Sequence, residues 1–289
     1  MRVLLTGGTG FVGSRVLPLL EEHEVLCVSR DPVRLPQRRG MKAIAADLGR
    51  DGDWITEIAR FRPDWCLHLA WEGRPDYSLG HCRANLDAGL RLVGAVARSG
   101  VKRVVVAGTC AEYGLASGAV AEESVPIARG LYGATKHAQL TMLETVARES
   151  GFNYQWARVF FVYGPGQGQG SLIPSLQASY ASGRKADIRT PATFQDFVHV
   201  EDVASALVAL MASETPSGIF NVGSGQPTSV GHVANLAADY YKRPRLFERL
   251  PGGHGFWADT HKIHASTGWC ARIGIEEGVA KTLAVFDGR

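Results

Sequence analysis

The chain has 289 residues, of which 45% are hydrophobic and 20% charged, a globular composition that excludes a disordered or collagen-like polymer. The length suits one large domain or two interleaved ones. A net charge of +3, from 31 basic and 28 acidic residues, is too balanced to argue for nucleic acid or an acidic membrane surface as a partner.

The first predicted strand, Val3–Leu5, has no cleavable apolar segment before it, so a secretory signal is not expected. Further strands are expected at Glu24–Val28, Lys42–Ala45, Trp65–Leu69, Arg103–Ala107 and Tyr154–Val159. Helix-length stretches lie between them, among them Gly13–Glu22 and Arg83–Ser99. In the second, Leu86, Leu90, Val93 and Ala97 recur at helical spacing. This alternation predicts an α/β fold: a doubly wound parallel sheet of Rossmann-like type with right-handed crossovers. After about residue 160 the pattern loosens. A loop at Gly164–Gly170 precedes predicted helices at Leu172–Ser182, Glu201–Ala212 and Val230–Tyr241, a strand at Ile219–Val222 and a last helix at Ile275–Phe286. No apolar run approaches the roughly 20 residues that span a bilayer. The five cysteines are scattered, odd in number and without a CxxC pair, which suits reduced thiols in a cytoplasmic protein.

Thr6-Gly-Gly-Thr-Gly-Phe-Val-Gly13 joins the first strand to the first helix. Gly7, Gly10 and Gly13 fit a tight turn, a close backbone approach to a pyrophosphate, and close helix–strand packing. A helix start supplies free N–H groups and positive dipole to the phosphates. The motif therefore predicts a dinucleotide site. Where NAD sites carry an acid at the end of the second strand, this chain reads Val28-Ser29-Arg30. Ser29 and Arg30 suit a 2′-phosphate, so NADP is preferred and NAD remains possible. In the plainer reading Arg30 is a solvated charge and Asp31 takes the acid's role.

Tyr132-Gly-Ala-Thr-Lys136 places a phenol and an ammonium on one helix face. The lysine charge favours the phenolate, and the phenol can exchange a proton with an alcohol oxygen as hydride moves. Thr109, at the end of Val104-Val-Val-Ala-Gly-Thr109, adds a hydroxyl able to bond the same oxygen.

With these residues the chain resembles the extended short-chain dehydrogenase/reductase family of nucleotide-sugar epimerases, dehydratases and ketoreductases. The likeness includes Asp47-Leu48, His68-Leu-Ala70, Asn85, Tyr163-Gly-Pro-Gly166, Asp196-Phe-Val-His-Val-Glu-Asp202, Asn221-Val-Gly-Ser-Gly225 and Asp259-x-x-Lys262 before Thr267-Gly-Trp269. It implies a Rossmann-like domain over 1–160 that also receives segments near 190–215. A smaller C-terminal α/β substrate domain over 161–289 would interleave with it. It implies catalysis by Thr109, Tyr132 and Lys136. The implied cofactor contacts are Gly7, Thr9, Gly10, Phe11 and Val12 in the first turn, then Ser29, Arg30, Asp47 and Leu48. They continue through Leu69, Ala70, Trp71, Ala107, Tyr132, Lys136, Phe160 and Val162. The implied substrate contacts are Trp71, Cys110, Phe161, Leu172, Gln195 and Arg249. It also implies a nucleotide-sugar substrate and a homodimer built on helices near 83–99 and 132–149.

Dehydratases of that family carry acids at the two positions after the catalytic hydroxyl. Here those positions are Cys110 and Ala111, with Glu112 one place further on and out of register, so dehydration is not expected. Cys110 reads as a small buried thiol rather than an epimerising base. Gln195 stands where relatives have arginine, and Phe161 where they have asparagine, so the diphosphate contact departs from the family pattern. Arg184, Arg189 or Arg249 are candidate replacements, each also readable as a surface charge. Trp71, Phe161 and Trp257 line the substrate or pack as ordinary aromatics. No metal site is expected, and His261-x-x-His264 reads as a loop feature. The preferred reading is an NADPH-dependent ketoreductase of a 4-keto-6-deoxy nucleotide sugar with Tyr132 as proton donor. The alternatives are a 4-epimerase with tightly bound NAD and a reductase of a non-nucleotide carbonyl. A binding module without catalysis is disfavoured because Thr109, Tyr132 and Lys136 are all kept.

Overall fold

The computed structural model describes residues 1–73, 75–184, 186–248 and 253–288. Its strands are β1 (Arg2–Thr6), β2 (Glu24–Ser29), β3 (Met41–Ala45), β4 (Trp65–His68), β5 (Arg103–Thr109), β6 (Gly118–Val120), β7 (Asn153–Val159), β8 (Phe161–Tyr163), β9 (Phe194–His199), β10 (Gly218–Val222), β11 (Pro227–Ser229) and β12 (Gly255–Ala258). Its α-helices are α1 (Gly13–Val16), α2 (Asp53–Phe61), α3 (Leu79–Ala97), α4 (Leu131–Ser150), α5 (Leu172–Ala181), α6 (Val200–Ala212), α7 (Val230–Tyr240), α8 (His261–Thr267) and α9 (Ile275–Phe286).

The main sheet is parallel, in the order β10-β7-β5-β4-β1-β2-β3. Its inner strands are apolar runs covered on both faces, whereas the edge strand β3 is largely exposed. Val3, Leu5 and Val105 pack with Val203, Leu207 and Leu210 of α6 on one face. Leu4, Val104 and Val106 pack with α3 and α4 through Leu92, Val96, Leu140 and Leu143 on the other. From β1 the chain moves outward to β3, then returns to β4 and moves outward the other way. The strand order therefore reverses between β1 and β4, whose carboxyl ends open on a crevice suited to a ligand.

The helix expected over Gly13–Glu22 is shorter than its pattern suggests. It ends as an α-helix at Val16 and continues as a 3-10 turn over Leu17–Leu20. Pro18 has no N–H for the Ser14 carbonyl, so the α-helical ladder stops there. Helix α3 starts at Leu79, one turn before the expected Arg83.

A second sheet has the order β11-β9-β12-β6, with β8 alongside β9. It is assembled from segments far apart in the chain, and α5, α7 and α9 cover it through Ile173, Leu176, Val233, Ala237, Val279 and Leu283. The buried Asp196 carboxylate of β9 stitches it together. It accepts from Ser224 N–H and O–H (both 2.6 Å), Gly225 N–H (2.9 Å) and Ala258 N–H (3.0 Å). Strand β10 returns to the main sheet after β8 and β9 have been laid down, so the chain crosses between the two layers of function more than once. Among the described residues no helix is long and apolar enough to cross a membrane.

Candidate active site

Two cavities lie along the carboxyl edge of the main sheet, and Leu69 and Trp71 belong to both walls. They form one cleft with two ends.

The first end, about 620 Å³, is built on the glycine turn. Gly7 has φ +77°, and a Cβ there would lie 2.7 Å from the Ala70 nitrogen; a Cβ on Gly13 would lie 2.1 Å from the Gly7 carbonyl oxygen. Only glycine lets the turn sit this tightly against the end of β4. The Thr6 hydroxyl ties the two strand ends together. It accepts from Ala70 N–H at 3.3 Å and lies 2.7 Å from His68 Nδ1. Gln139 of α4 reaches the other ring nitrogen at 3.5 Å. Burial, and then the Lys136 charge, lower the His68 pKa to about 3. Gly7, Thr9, Gly10, Phe11, Ser29 and Arg30 line this end, as do Asp47, Leu48 and Ala70. Asp47 accepts from Gly49 N–H at 2.9 Å. The glycine cradle fits the pyrophosphate of a dinucleotide.

The second end, about 590 Å³, holds Thr109, Tyr132 and Lys136. Lys136 is buried; its ammonium donates to the Ala107 carbonyl at 2.7 Å and sits 4.6 Å from the centre of the Trp71 ring. Tyr132, one helical turn earlier, is stacked on Tyr77 at 4.7 Å and meets Trp71 edge-on at 4.9 Å. The Thr109 hydroxyl accepts from Ala111 N–H at 3.2 Å. Val12, Ala107, Phe160 and Val162 also line this end, as do Cys110, Phe161, Leu172 and Gln195.

Glu112 belongs to neither wall. Its carboxylate is fully buried and accepts from Thr109 N–H (3.0 Å), Trp156 Nε1–H (2.9 Å) and Arg158 Nε–H (3.0 Å). Thr109 and Glu112 thus close a capping box around the turn Cys110–Glu112. Burial, then the Asp196 and Glu112 charges, push the Cys110 thiol far up, away from the thiolate that a base requires.

Several sequence expectations are relocated. Trp257 lines a separate open cavity beside His261 and His264, while its neighbour Phe256 lines the active-site end; successive strand residues face opposite ways. Arg184 belongs to another cavity near Tyr180, and neither it nor Arg189 reaches the cleft wall. Arg249 lies outside the described residues. Three contributors were not read from the sequence. Arg129 lines the active-site end and, with Lys136, is its cationic lining among the described residues. Glu72 lines the glycine-turn end. Tyr77 stacks on Tyr132. Only Arg129, three places before Tyr132, carried a usable signal. Among the described residues no three of His, Cys, Asp and Glu gather as metal ligands do.

Residues 3–223 match the NAD dependent epimerase/dehydratase family. The chain is 25% identical to dTDP-L-rhamnose 4-epimerase of Burkholderia thailandensis, over 97% of this chain and 93% of that one. It is 29% identical to dTDP-6-deoxy-L-talose 4-dehydrogenase (NAD(P)(+)) of Kitasatospora kifunensis, over 96% and 93%. Its fold is similar to MoeE5 in complex with UDP-glucuronic acid and NAD, with a TM-score of 0.87 and 29% identity over 100% of this chain and 99% of that one.

Proposed function

The chain belongs to the NAD-dependent epimerase/dehydratase family, and on that footing we propose that it is a nucleotide-sugar 4-epimerase working with NAD. One observation carries the reading. Thr109, Tyr132 and Lys136 share a cavity wall on which, among the described residues, no carboxylate stands. Elimination of water needs an acid or base at a neighbouring carbon; oxidation and reduction of one alcohol carbon needs only hydride movement and one shuttled proton.

In this reading Tyr132 takes the proton of the sugar 4-hydroxyl and later returns it. The Lys136 ammonium favours the phenolate during that exchange. Thr109 donates a hydrogen bond to the same sugar oxygen and keeps it beside the phenol. The glycine turn and Ser29–Arg30 hold the dinucleotide, whose nicotinamide when bound accepts and gives back the hydride. Trp71, shared by both ends, shields the junction from water. Gln195 and Phe161 line the substrate end, with Arg129 as the cation nearest the chain's own catalytic tyrosine in sequence. Residues 1–160 with 190–215 would serve the dinucleotide, and the remainder the sugar nucleotide.

A second reading, a 4-ketoreductase using NADPH, is favoured by Arg30 and Arg34 on the cleft wall. A homodimer through α3 and α4 is part of either reading, with Leu79, Leu131 and Met142 exposed on those helices. The test incubates the purified protein with UDP- and dTDP-sugars without added cofactor and follows the C4 epimers by NMR. Interconversion supports the epimerase. NADPH consumption with a 4-keto sugar nucleotide, and no interconversion, supports the reductase.

A further inference from the structure

Ser29 and Arg30 stand at the end of β2, where a dinucleotide site that selects NAD carries a carboxylate, and the next residue, Asp31, is not among those lining the cleft. The structure brings a carboxylate to that place from another strand. Glu72, in the segment after β4, forms an ion pair with Arg30, and both side chains line the glycine-turn end of the cleft. Glu72 is held there. Its N–H donates to Asn85 Oδ1 at 2.8 Å, and its carbonyl accepts from Asn85 Nδ2 at 3.0 Å. Asn85 is itself buried and donates also to the His81 carbonyl at 2.7 Å. An amide that grips both main-chain groups of one residue fixes where its side chain starts. The carboxylate is therefore delivered from a pinned point on the wall. The ion pair is part-exposed, at 65% and 39%, and adds little stability of its own; its place in the cleft is what matters.

We propose that Glu72 selects the cofactor, favouring NAD over NADP by engaging Arg30 and facing the adenosine ribose. The proposal rests on the reading of the cleft as a dinucleotide site. Two effects act in the same direction. A carboxylate accepts hydrogen bonds from ribose hydroxyls, which are donors. A 2′-phosphate offers no such donor, brings like charge to Glu72, and must take Arg30 from its partner. On the same wall Arg50 lies 3.5 Å from Asp47, so that guanidinium is paired as well. Arg30 alone points to NADP; Arg30 held by Glu72 points to NAD.

The test titrates NADH and NADPH into nucleotide-stripped, full-length protein and follows nicotinamide fluorescence, which reads binding and not turnover. The native protein should bind NADH at least about tenfold more tightly than NADPH, and Glu72→Gln should tighten NADPH by about 10–100-fold while changing NADH far less. The double variant Glu72→Gln/Arg30→Ala should lose that gain, because the guanidinium that Glu72 had held is then gone while Arg34 and Arg50 are unchanged. An NADPH/NADH ratio that Glu72→Gln leaves unchanged, or a native preference for NADPH, overturns the proposal while the dinucleotide site stands. A native protein that binds neither dinucleotide retires the dinucleotide reading, and the proposal with it.

Discussion

The Glu112 carboxylate and the Arg158 guanidinium meet at 3.0 Å with side-chain exposures of 0% and 1%. The same carboxylate holds the main-chain N–H of Thr109, so the acid nearest Thr109 in sequence is structural. Removing it leaves Arg158 charged in a dry site, which costs about 3–5 kcal/mol. Glu112→Ala should lower the melting temperature sharply, and the native protein should form no 4-keto-6-deoxy product from dTDP-glucose, GDP-mannose or CDP-glucose. A native-like melt for the variant, or such a product, would sink this view of Glu112.

Tyr132→Phe should lower turnover by at least about 10²–10⁴-fold, the usual share of general acid–base catalysis, while dinucleotide affinity stays near native. Thr109→Ser should keep much of the activity and Thr109→Ala should not. Stopped assays paired with cofactor titration separate the two effects. Substantial turnover by the phenylalanine variant would remove Tyr132 from the proton path.

Arg129 and Lys136 are the cations lining the Tyr132 end of the cleft among the described residues, and Lys136 already donates to a carbonyl. Arg129→Leu should raise the KM for sugar nucleotides by about 10–100-fold, as loss of a charge-assisted bond to an anion does, with NADH affinity unchanged. Unaltered KM values across UDP- and dTDP-sugars would show that the anion is held elsewhere.

Thiol reactivity should divide the cysteines. Burial, opposed by Arg38, holds Cys27 up at about 11; burial holds Cys66 up at about 12; and Cys110 is raised further. Cys270 is exposed. An aromatic disulfide reagent at pH 8 should label Cys270 first in the folded protein, and the remaining thiols only after denaturation. Cys110→Ser should leave the product epimer unchanged; a change would make Cys110 a base.

His68 has a depressed folded pKa, near 3, against an ordinary value of 6.5. The folded state keeps it neutral where the unfolded chain takes up a proton. Its contribution is therefore complete above about pH 6.5 and is lost progressively as pH falls toward 3, at about 1.4 kcal/mol per pH unit at most. The drop in melting temperature from pH 7.5 to pH 4.5 should be smaller for His68→Gln than for the native protein. Equal drops would mean that other groups carry the acid sensitivity.

The main sheet was legible because runs such as Val104–Val106 are buried on both faces and leave no doubt in a linear pattern. The glycine turn and the Tyr132–Lys136 pair were legible because their chemistry is local in sequence. Strands β6 and β12, of three and four residues, were not: each depends on distant partners, Phe256 lying opposite both Gly118 of β6 and Gln195 of β9. Pro18 was visible, yet the apolar pattern running past it suggested a longer helix. Glu72 is illegible in the sequence for the same reason as β12. Its partner is 42 residues away, and nothing in its own neighbourhood marks it.

Strand β10 is the outer strand of the main sheet beyond β7, yet it follows the elements that build the second sheet. A fragment ending near residue 160 would lack both β10 and α6. It would expose the hydrogen-bonding edge of Asn153–Val159 and the apolar face that Val203, Leu207 and Leu210 cover. Such a fragment is a candidate for aggregation, not a portable nucleotide-binding module. Recombination that keeps each sheet with its own strands and covering helices has to exchange separated stretches of the chain together.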